Sequence, residues 1–598
     1  MTIRYLRLGL LIALSIALMS GAGTANIQAE SGRCYVKWNA LGGNNGTAWI
    51  DAYNDLQSAL ADLGCGQIWV VAGFYQPGSD PNDSFILRNN VAIYGGFAGT
   101  ELNLDERNPA ANRTVLTGDI DDNDTYNSNS IVTSINGTNS YHVVTAFDVN
   151  NTAILDGFTI TGGNTATGKG GGIWLLDSRP QLNNLIIGGN TASQGGGLAN
   201  EYGFPIVTNV TFRQNNAQTG GGMVNIGGSA TLFNVIFQGN RVQQGGGMAN
   251  LNSETTLGNV TFSGNDATVD ANSDGGGMYN SLSAAYLRYA TFLSNNANRN
   301  GGGMANADSI IILEDVVLSL NAATNWGGGV FSRNQTLVMT GVTIHANVAD
   351  YGGGVFTQSA AGTWVNVTFS QNSASSFGGG IYLYSNSSPT LTNITVTGNS
   401  AGTNGGGMYN DSFSNPSVRN AIIWGNSATS GGGIHNFVST PTIAYSDVQG
   451  CFTSGSWNGS CGTDGGNNLQ LDPLLGALTN NGGFTPTHAL QHGSPAINSG
   501  LCGIGNSIDQ RGVSRPQGGA CDMGAVERAF LHVPLVQREV CCWGRSYLTF
   551  TARGAEGAED MVPWRSLRLC LLDVVGLPLL SSPRWGEVIR HPPSAGEG

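Results

Sequence analysis

Three consecutive glycines recur along this chain at almost constant spacing. The triplet begins at residues 170, 195, 220, 245, 275, 301, 327, 352, 378, 405 and 431, with steps of 25, 25, 25, 30, 26, 26, 25, 26, 27 and 26. A fixed period of this size is the signature of a repeat architecture, in which each unit buries its apolar face only against its neighbours. A short apolar run follows each triplet, as in Gly247-Met248-Ala249-Asn250. A second run comes later, for example Asn209-Val210-Thr211-Phe212, Asn234-Val235-Ile236-Phe237 and Asn259-Val260-Thr261-Phe262. Beyond that run stands an Asn in every unit: Asn190, Asn215, Asn240, Asn265, Asn295, Asn321, Asn347, Asn372, Asn399 and Asn426. Two residues further on an Ala is usual, with Val242 the exception.

Short β-branched and aromatic runs, broken by Gly and Asn, are strands with turns. The repeats carry no 3.6-residue apolar stripe, which excludes helical solenoids. The expected fold is therefore all-β: a single-stranded, right-handed parallel β-helix of about 25 residues per coil, with coils ~4.8 Å apart. In such a stack the Asn residues form a ladder. Gly at the corner supplies positive φ and lets backbones approach closely.

Composition fits that stack. Glycine accounts for 90 of 598 residues, and charged residues for only 11%. Like charges stacked in register repel, so neutral Asn, Thr, Ser and Gly suit the repeat. The formal charge of −14, from 25 basic and 39 acidic residues, argues against a nucleic-acid partner.

The N-terminus reads as a secretory signal over residues 1–29. Arg4 and Arg7 precede the apolar run Leu8 to Met19, and cleavage after Ala25 or Ala29 fits the small residues there. No other stretch reaches the ~18 apolar residues of a membrane span. The expected location is extracellular, or on a bacterial cell surface or outer membrane. Nine Cys agree with export. Their spacing predicts three local disulfides, Cys34–Cys65, Cys451–Cys461 and Cys502–Cys521, leaving Cys541, Cys542 and Cys570 in the tail. From about Glu539 the Gly-Asn-Thr patterning stops, and residues 539–598 read as read-through or frameshifted translation. The chain thus divides into a signal (1–29), a cap with irregular first coils (30–165), regular repeats (166–440), a C-terminal module (441–527) and an aberrant tail (528–598). Trp49, Tyr53, Leu56, Leu60 and Leu63 fall at helical spacing, predicting a helix that caps the first coil.

Three resemblances attach to these motifs. The triplet followed by Ile173, Leu198, Met223 or Met248, with Phe212…Asn215, Phe237…Asn240, Phe262…Asn265, Phe292…Asn295 and Phe369…Asn372, resembles the repeats of chlamydial polymorphic outer-membrane proteins. That resemblance implies a secreted or surface-displayed β-helix with an adhesive role. It lacks the family's closing membrane barrel, because no series of ~10-residue alternating strands follows residue 527. The N-terminal segment resembles the start of pectate-lyase-like (pectin-lyase-like) β-helix proteins. Asp472-Pro473, Asn481-Gly482-Gly483, Thr487-His488, Gly493-Ser494-Pro495-Ala496, Asp509-Gln510-Arg511-Gly512 and Gly524-Ala525 resemble the choice-of-anchor Q module, which implies a cap placed before an anchoring signal.

No catalytic set is legible. The carboxylates within the coils (Asp177, Glu201, Glu254, Asp266, Asp270, Asp274, Asp308, Glu314, Asp315, Asp350 and Asp411) do not recur at one repeat position. His345 and His435 lie in different coils, and only two Lys exist, Lys37 and Lys169. The triplets lack the Lys-Ser/Thr of a phosphate-binding loop. Asp266, Asp270 and Asp274 surround the 30-residue step, where a loop could leave the rod. One acidic stretch offers Asp119, Asp121, Asn123 and Asp124 to Ca²⁺. It lacks the Gly and the Glu of a calcium loop, having Asp124 and Ser130 at those places. The leading expectation is a non-catalytic adhesin or binding scaffold whose partner is a host or environmental glycan, or another cell-surface ligand. The alternatives are a lyase or hydrolase of acidic polysaccharide and a purely structural envelope protein.

Overall fold

The structure, a computed structural model, describes residues 32–528. The signal segment, most of the tail, and Cys541, Cys542 and Cys570 lie outside the described residues. Strand follows strand around a single apolar interior, and almost every pairing between coils is parallel. The strands form three long sheets of 26, 13 and 6 members. The chain is an all-β parallel β-helix.

Register is kept residue by residue along the stack. Leu198 pairs with Met223, then Met248, Met278 and Met304. On another face Phe212, Phe237, Phe262 and Phe292 pair in turn, and their rings stack at 4.8, 4.8 and 4.5 Å between centroids. That is the spacing of neighbouring strands, so one apolar residue per coil builds a continuous column.

The Asn residues stand inside the coil and are fully or almost fully buried, except at the last rung. Nδ2 of Asn190 donates to Oδ1 of Asn215 at 3.0 Å, and the link repeats through Asn240, Asn265, Asn295, Asn321, Asn347, Asn372 and Asn399 to Asn426. Each Oδ1 also accepts the backbone N–H of the preceding rung, as Asn347 does from Asn321 at 2.9 Å. The second Nδ2 proton reaches a carbonyl on the other side, Phe292 in the case of Asn321. Every donor and acceptor of the turn is thus met without water, the condition for burying it.

The three glycines have different reasons. The first of each triplet has φ between +62° and +71°, which other residues adopt only with strain. The second and third lie in ordinary φ but against the next coil. A Cβ on Gly328 would stand 2.4 Å from the Val348 oxygen and 2.5 Å from that of Gly353.

The capping helix is short, Leu56–Ala61. Asp55 caps it by accepting from Ser58 N–H, and Leu56, Ala59 and Leu60 join Val36 and Ile68 in the core. The wider helical spacing from Trp49 to Leu63 does not extend it. Trp49 packs instead with Tyr35, Trp69 and Phe97, and Leu63 is exposed. The cysteines pair as Cys34–Cys65, Cys451–Cys461 and Cys502–Cys521.

Coils continue to Thr463–Asp464, which pairs with Thr442–Ala444. The chain then turns back. An antiparallel hairpin, Leu475–Thr479 with Thr487–Leu490, and the loops after it lie along the outside of the large sheet. Gln510 Nε2 donates to Val342 O and to the hydroxyls of Thr343 and Thr485, while its Oε1 accepts from Thr368. Ser370 meets His488, and Ala525 N–H reaches the Thr395 hydroxyl. Ile422, Leu490, Ala496 and Met523 close a small second core beneath the module.

Asp447, in this part of the stack, is buried, with one oxygen accepting from Leu471 N–H and the other without a partner. Burial pushes its pKa up to about 6. The folded value exceeds the unfolded one, so folding takes up a proton and this carboxyl makes the fold less stable as pH rises from about 4 to about 6. Replacing Asp447 with Asn is expected to raise stability near pH 7 by about 2 kcal/mol and to leave it unchanged near pH 4. Denaturant melts at the two pH values check this.

Candidate functional site

Where the six-stranded sheet meets the 13-stranded sheet, the outer surface carries a feature that belongs to only part of the stack. In most coils the residue before the triplet is polar: Gln194, Thr219, Gln244, Asp274, Asn300, and later Asn404 and Ser430. In three consecutive coils it is Trp326, Tyr351 and Phe377. The fourth residue after the first glycine changes in the same coils. It is Trp174 in the first of these coils, then Ala199, Val224, Ala249, Tyr279 and Ala305, and then Phe331, Phe356, Tyr382 and Tyr409.

These two columns pack on each other. Phe331, Phe356, Tyr382 and Tyr409 form a buried floor with Ala305, outside the coil interior. Trp326 lies parallel to Phe356 with centroids 5.3 Å apart, and Phe377 parallel to Tyr409 at 5.0 Å. Trp326 and Tyr351 are bridged as strand partners, and Tyr351 pairs with Phe377. The result is a ladder of three rings, one per coil, running along the stack and held from behind by other rings. Trp326 is 36% exposed, while Tyr351, Phe377 and Tyr384 are partly buried. Offset and edge-on ring contacts of this kind fix ring orientation at little entropic cost. At the edge, Tyr382 OH donates to Asp411 at 3.0 Å, and Ser412 donates to the other Asp411 oxygen. Burial and the Asp411 charge hold the Tyr382 phenol well above its usual range.

The other candidates are arranged differently. In the acidic stretch, Asp119 accepts from the N–H groups of Asn123 and Asp124 and from Tyr126 OH. Asp124 accepts from Asn136 N–H and Asn139 Nδ2, and Asp121 from Thr138 N–H. Asn123 itself contributes backbone groups to that loop. Among the described residues, one set of three His, Cys, Asp or Glu ligand atoms lies within 4.8 Å of one another, Cys34, Asp62 and Cys65, and its two cysteines are a disulfide. The loop of the 30-residue step is braced: Arg299 pairs with Asp274, and Gln243 with Asp270. His345 and His488 bond to backbone carbonyls, and burial lowers the pKa of His488.

One charged cluster was not visible as a unit in the sequence. Tyr286 OH donates to Glu314, and Arg288 Nε stands 3.5 Å from Glu314 and 4.0 Å from Asp315. Burial, with Glu314 beside it, pushes Asp315 up to about 6. Tyr289 and Asp315 interrupt a column of left-handed corner residues that is otherwise mostly Asn: Asn184, Asn209, Asn234 and Asn259 before it, Asn366, Asn393 and Asn420 after.

No protein-family model matches the sequence, and no curated protein sequence matches it. A crystal structure of pectate lyase Pel9A is similar, with 14% identity and a TM-score of 0.30 over 83% of this chain and 97% of that one.

Proposed function

We propose that this chain is an exported, non-catalytic rod that binds a surface glycan, with the ladder of Trp326, Tyr351 and Phe377 as its contact face. The observation that carries the reading is that both outer columns are aromatic together in three consecutive triplet coils, whereas in every other triplet coil at most one of them is. A column inside the coil changes type for packing reasons. One outside it gains nothing from exposing a Trp, and partly exposed apolar patches mark contact sites. Three disulfides suit an oxidising compartment. Among the described residues no helix is long and apolar enough to cross a membrane. The C-terminal module, by its resemblance, serves as the cap before an anchor.

The test combines retention with turnover. The protein is passed over immobilised polysaccharides, and bound material is assayed for new reducing ends and unsaturated products. Retention without products is expected. Products from any polymer would replace this reading with the enzymatic one.

The enzymatic reading draws on one arrangement, Glu314 and Asp315 beside Arg288 and Tyr286, with the raised pKa of Asp315. A raised carboxyl beside a second one is the pattern of a general acid paired with a base. If products do form, Glu314→Gln and Asp315→Asn should each reduce their rate at least about 100-fold.

A further inference from the structure

We infer that the ligand of the aromatic ladder is an uncharged polysaccharide of pyranose sugars, lying lengthwise along the rod. This inference rests on the binding reading and names the class of ligand.

Charge comes first. Between Val316 and Asp411, the stretch that contains the three rings and the aromatic residues of their floor, the charged residues are Arg333, Asp350 and Asp411, and the coils stacked before Trp326 add Arg299, which is paired with Asp274. Asp350 is engaged by Ser376, and Asp411 by Tyr382 and Ser412. A polyanion held here would meet Arg333, two carboxylates and the Arg299–Asp274 ion pair, inside a chain of net charge −14. Recognition of polyanions runs on rows of Lys and Arg, which this face does not have.

Ring geometry gives the class. A pyranose presents a flat patch of C–H groups on one face and hydroxyls around its edge. The C–H patch is electropositive, and the face of an aromatic ring is negative. Trp326, Tyr351 and Phe377 stand on paired backbone positions of successive coils, with the Tyr351 and Phe377 rings 5.8 Å apart and ring partners stacked on Trp326 and Phe377. Asn404 continues the same column as a polar neighbour, bridged to Phe377. Hydroxyls at a sugar's edge can bond there, as Asn and Gln both donate and accept.

Orientation follows from the stack. The three rings lie on successive coils, so a linear chain can use all of them only by running along the axis. Each further ring then acts within an already bound chain, and affinity rises with oligomer length until the ladder is spanned.

The experiment titrates the whole chain with cellohexaose, N-acetylchitohexaose and polygalacturonate by calorimetry, at about 0.05 and about 0.5 M salt. Binding of a neutral hexamer is expected, several-fold tighter than its dimer and unchanged by salt. Trp326→Ala is expected to weaken it about tenfold or more, by analogy with the loss of one stacking platform. Trp326→Phe keeps a ring and should retain most of the affinity, which separates lost stacking from lost fold. Tyr202→Ala, in a different part of the stack, should leave binding unchanged. Preference for polygalacturonate with loss at high salt would overturn the uncharged class. Neutral binding that survives Trp326→Ala, Tyr351→Ala and Phe377→Ala together would overturn the ladder as its site while leaving the binding reading standing. Retention of no glycan of any charge would overturn the binding reading itself.

Discussion

Asn321→Ala is expected to open the middle of the rod. The side chain stands at the centre of a buried ladder and makes four bonds. Its Nδ2 donates to Asn347 Oδ1 and Phe292 O, and its Oδ1 accepts from Asn295 Nδ2 and from Asn295 N–H. Alanine leaves that N–H and one Nδ2 proton buried without partners, and removes a donor from both the Phe292 carbonyl and Asn347 Oδ1. Each such orphan costs about 1–3 kcal/mol, so a loss of about 4 kcal/mol is expected. Asn234→Gly is the matched control. It removes a rung of the exposed corner ladder, where Asn234 donates to Asn209 at 3.1 Å and water can replace the bond. Its cost should stay below about 1 kcal/mol. Stability in a solenoid is a sum of coil and neighbour terms, so the damage should be local. Amide hydrogen exchange is the suitable readout: faster exchange in the coils on either side of Asn321, and unchanged exchange near the capping helix.

Gly328→Ala is expected to be at least as severe, for a steric reason. This glycine has no unusual φ, so backbone preference does not require it. The added methyl would meet the Val348 and Gly353 oxygens at 2.4 and 2.5 Å. Both oxygens belong to the next coil, and moving them breaks the bonds that set the spacing. The cost of forcing this contact is about 4 kcal/mol or more. Gly264→Ala separates the two roles of glycine. Gly264 has φ +58° and nothing within 4 Å of an added Cβ, so alanine there pays backbone strain of about 1 kcal/mol. Limited proteolysis should cut the Gly328→Ala chain near this corner, and leave Gly264→Ala resistant.

Sequence and structure agree where the cause is periodic and interior. Asn321 and Phe262 recur because each coil places the same residue against its copy, so one column read down the repeats suffices. The second buried column was less visible. Asn250, Asn280 and Asn306 bond in line, but Ser332, Thr357 and Leu383 replace Asn in the next coils. The aromatic ladder was hidden for the opposite reason. Its rings break the pattern of their columns, and averaging over repeats erases a feature confined to three coils. Reading the residue before each triplet coil by coil would have found it. The C-terminal module's return onto Thr343, Thr368 and Thr395 is a long-range contact that no local pattern encodes. Gathering Glu314 with Arg288 needed the exact register, since they meet only because their strands pair.

The most direct test of the account is a hydrogen-exchange footprint of the full chain with and without a bound neutral polysaccharide. Protection confined to the six-stranded sheet and the adjoining edge of the 13-stranded sheet between about residues 322 and 411 is predicted, strongest around Trp326, Tyr351 and Phe377. Protection centred on Tyr286, Arg288, Glu314 and Asp315, or on any face away from the rings, would contradict it.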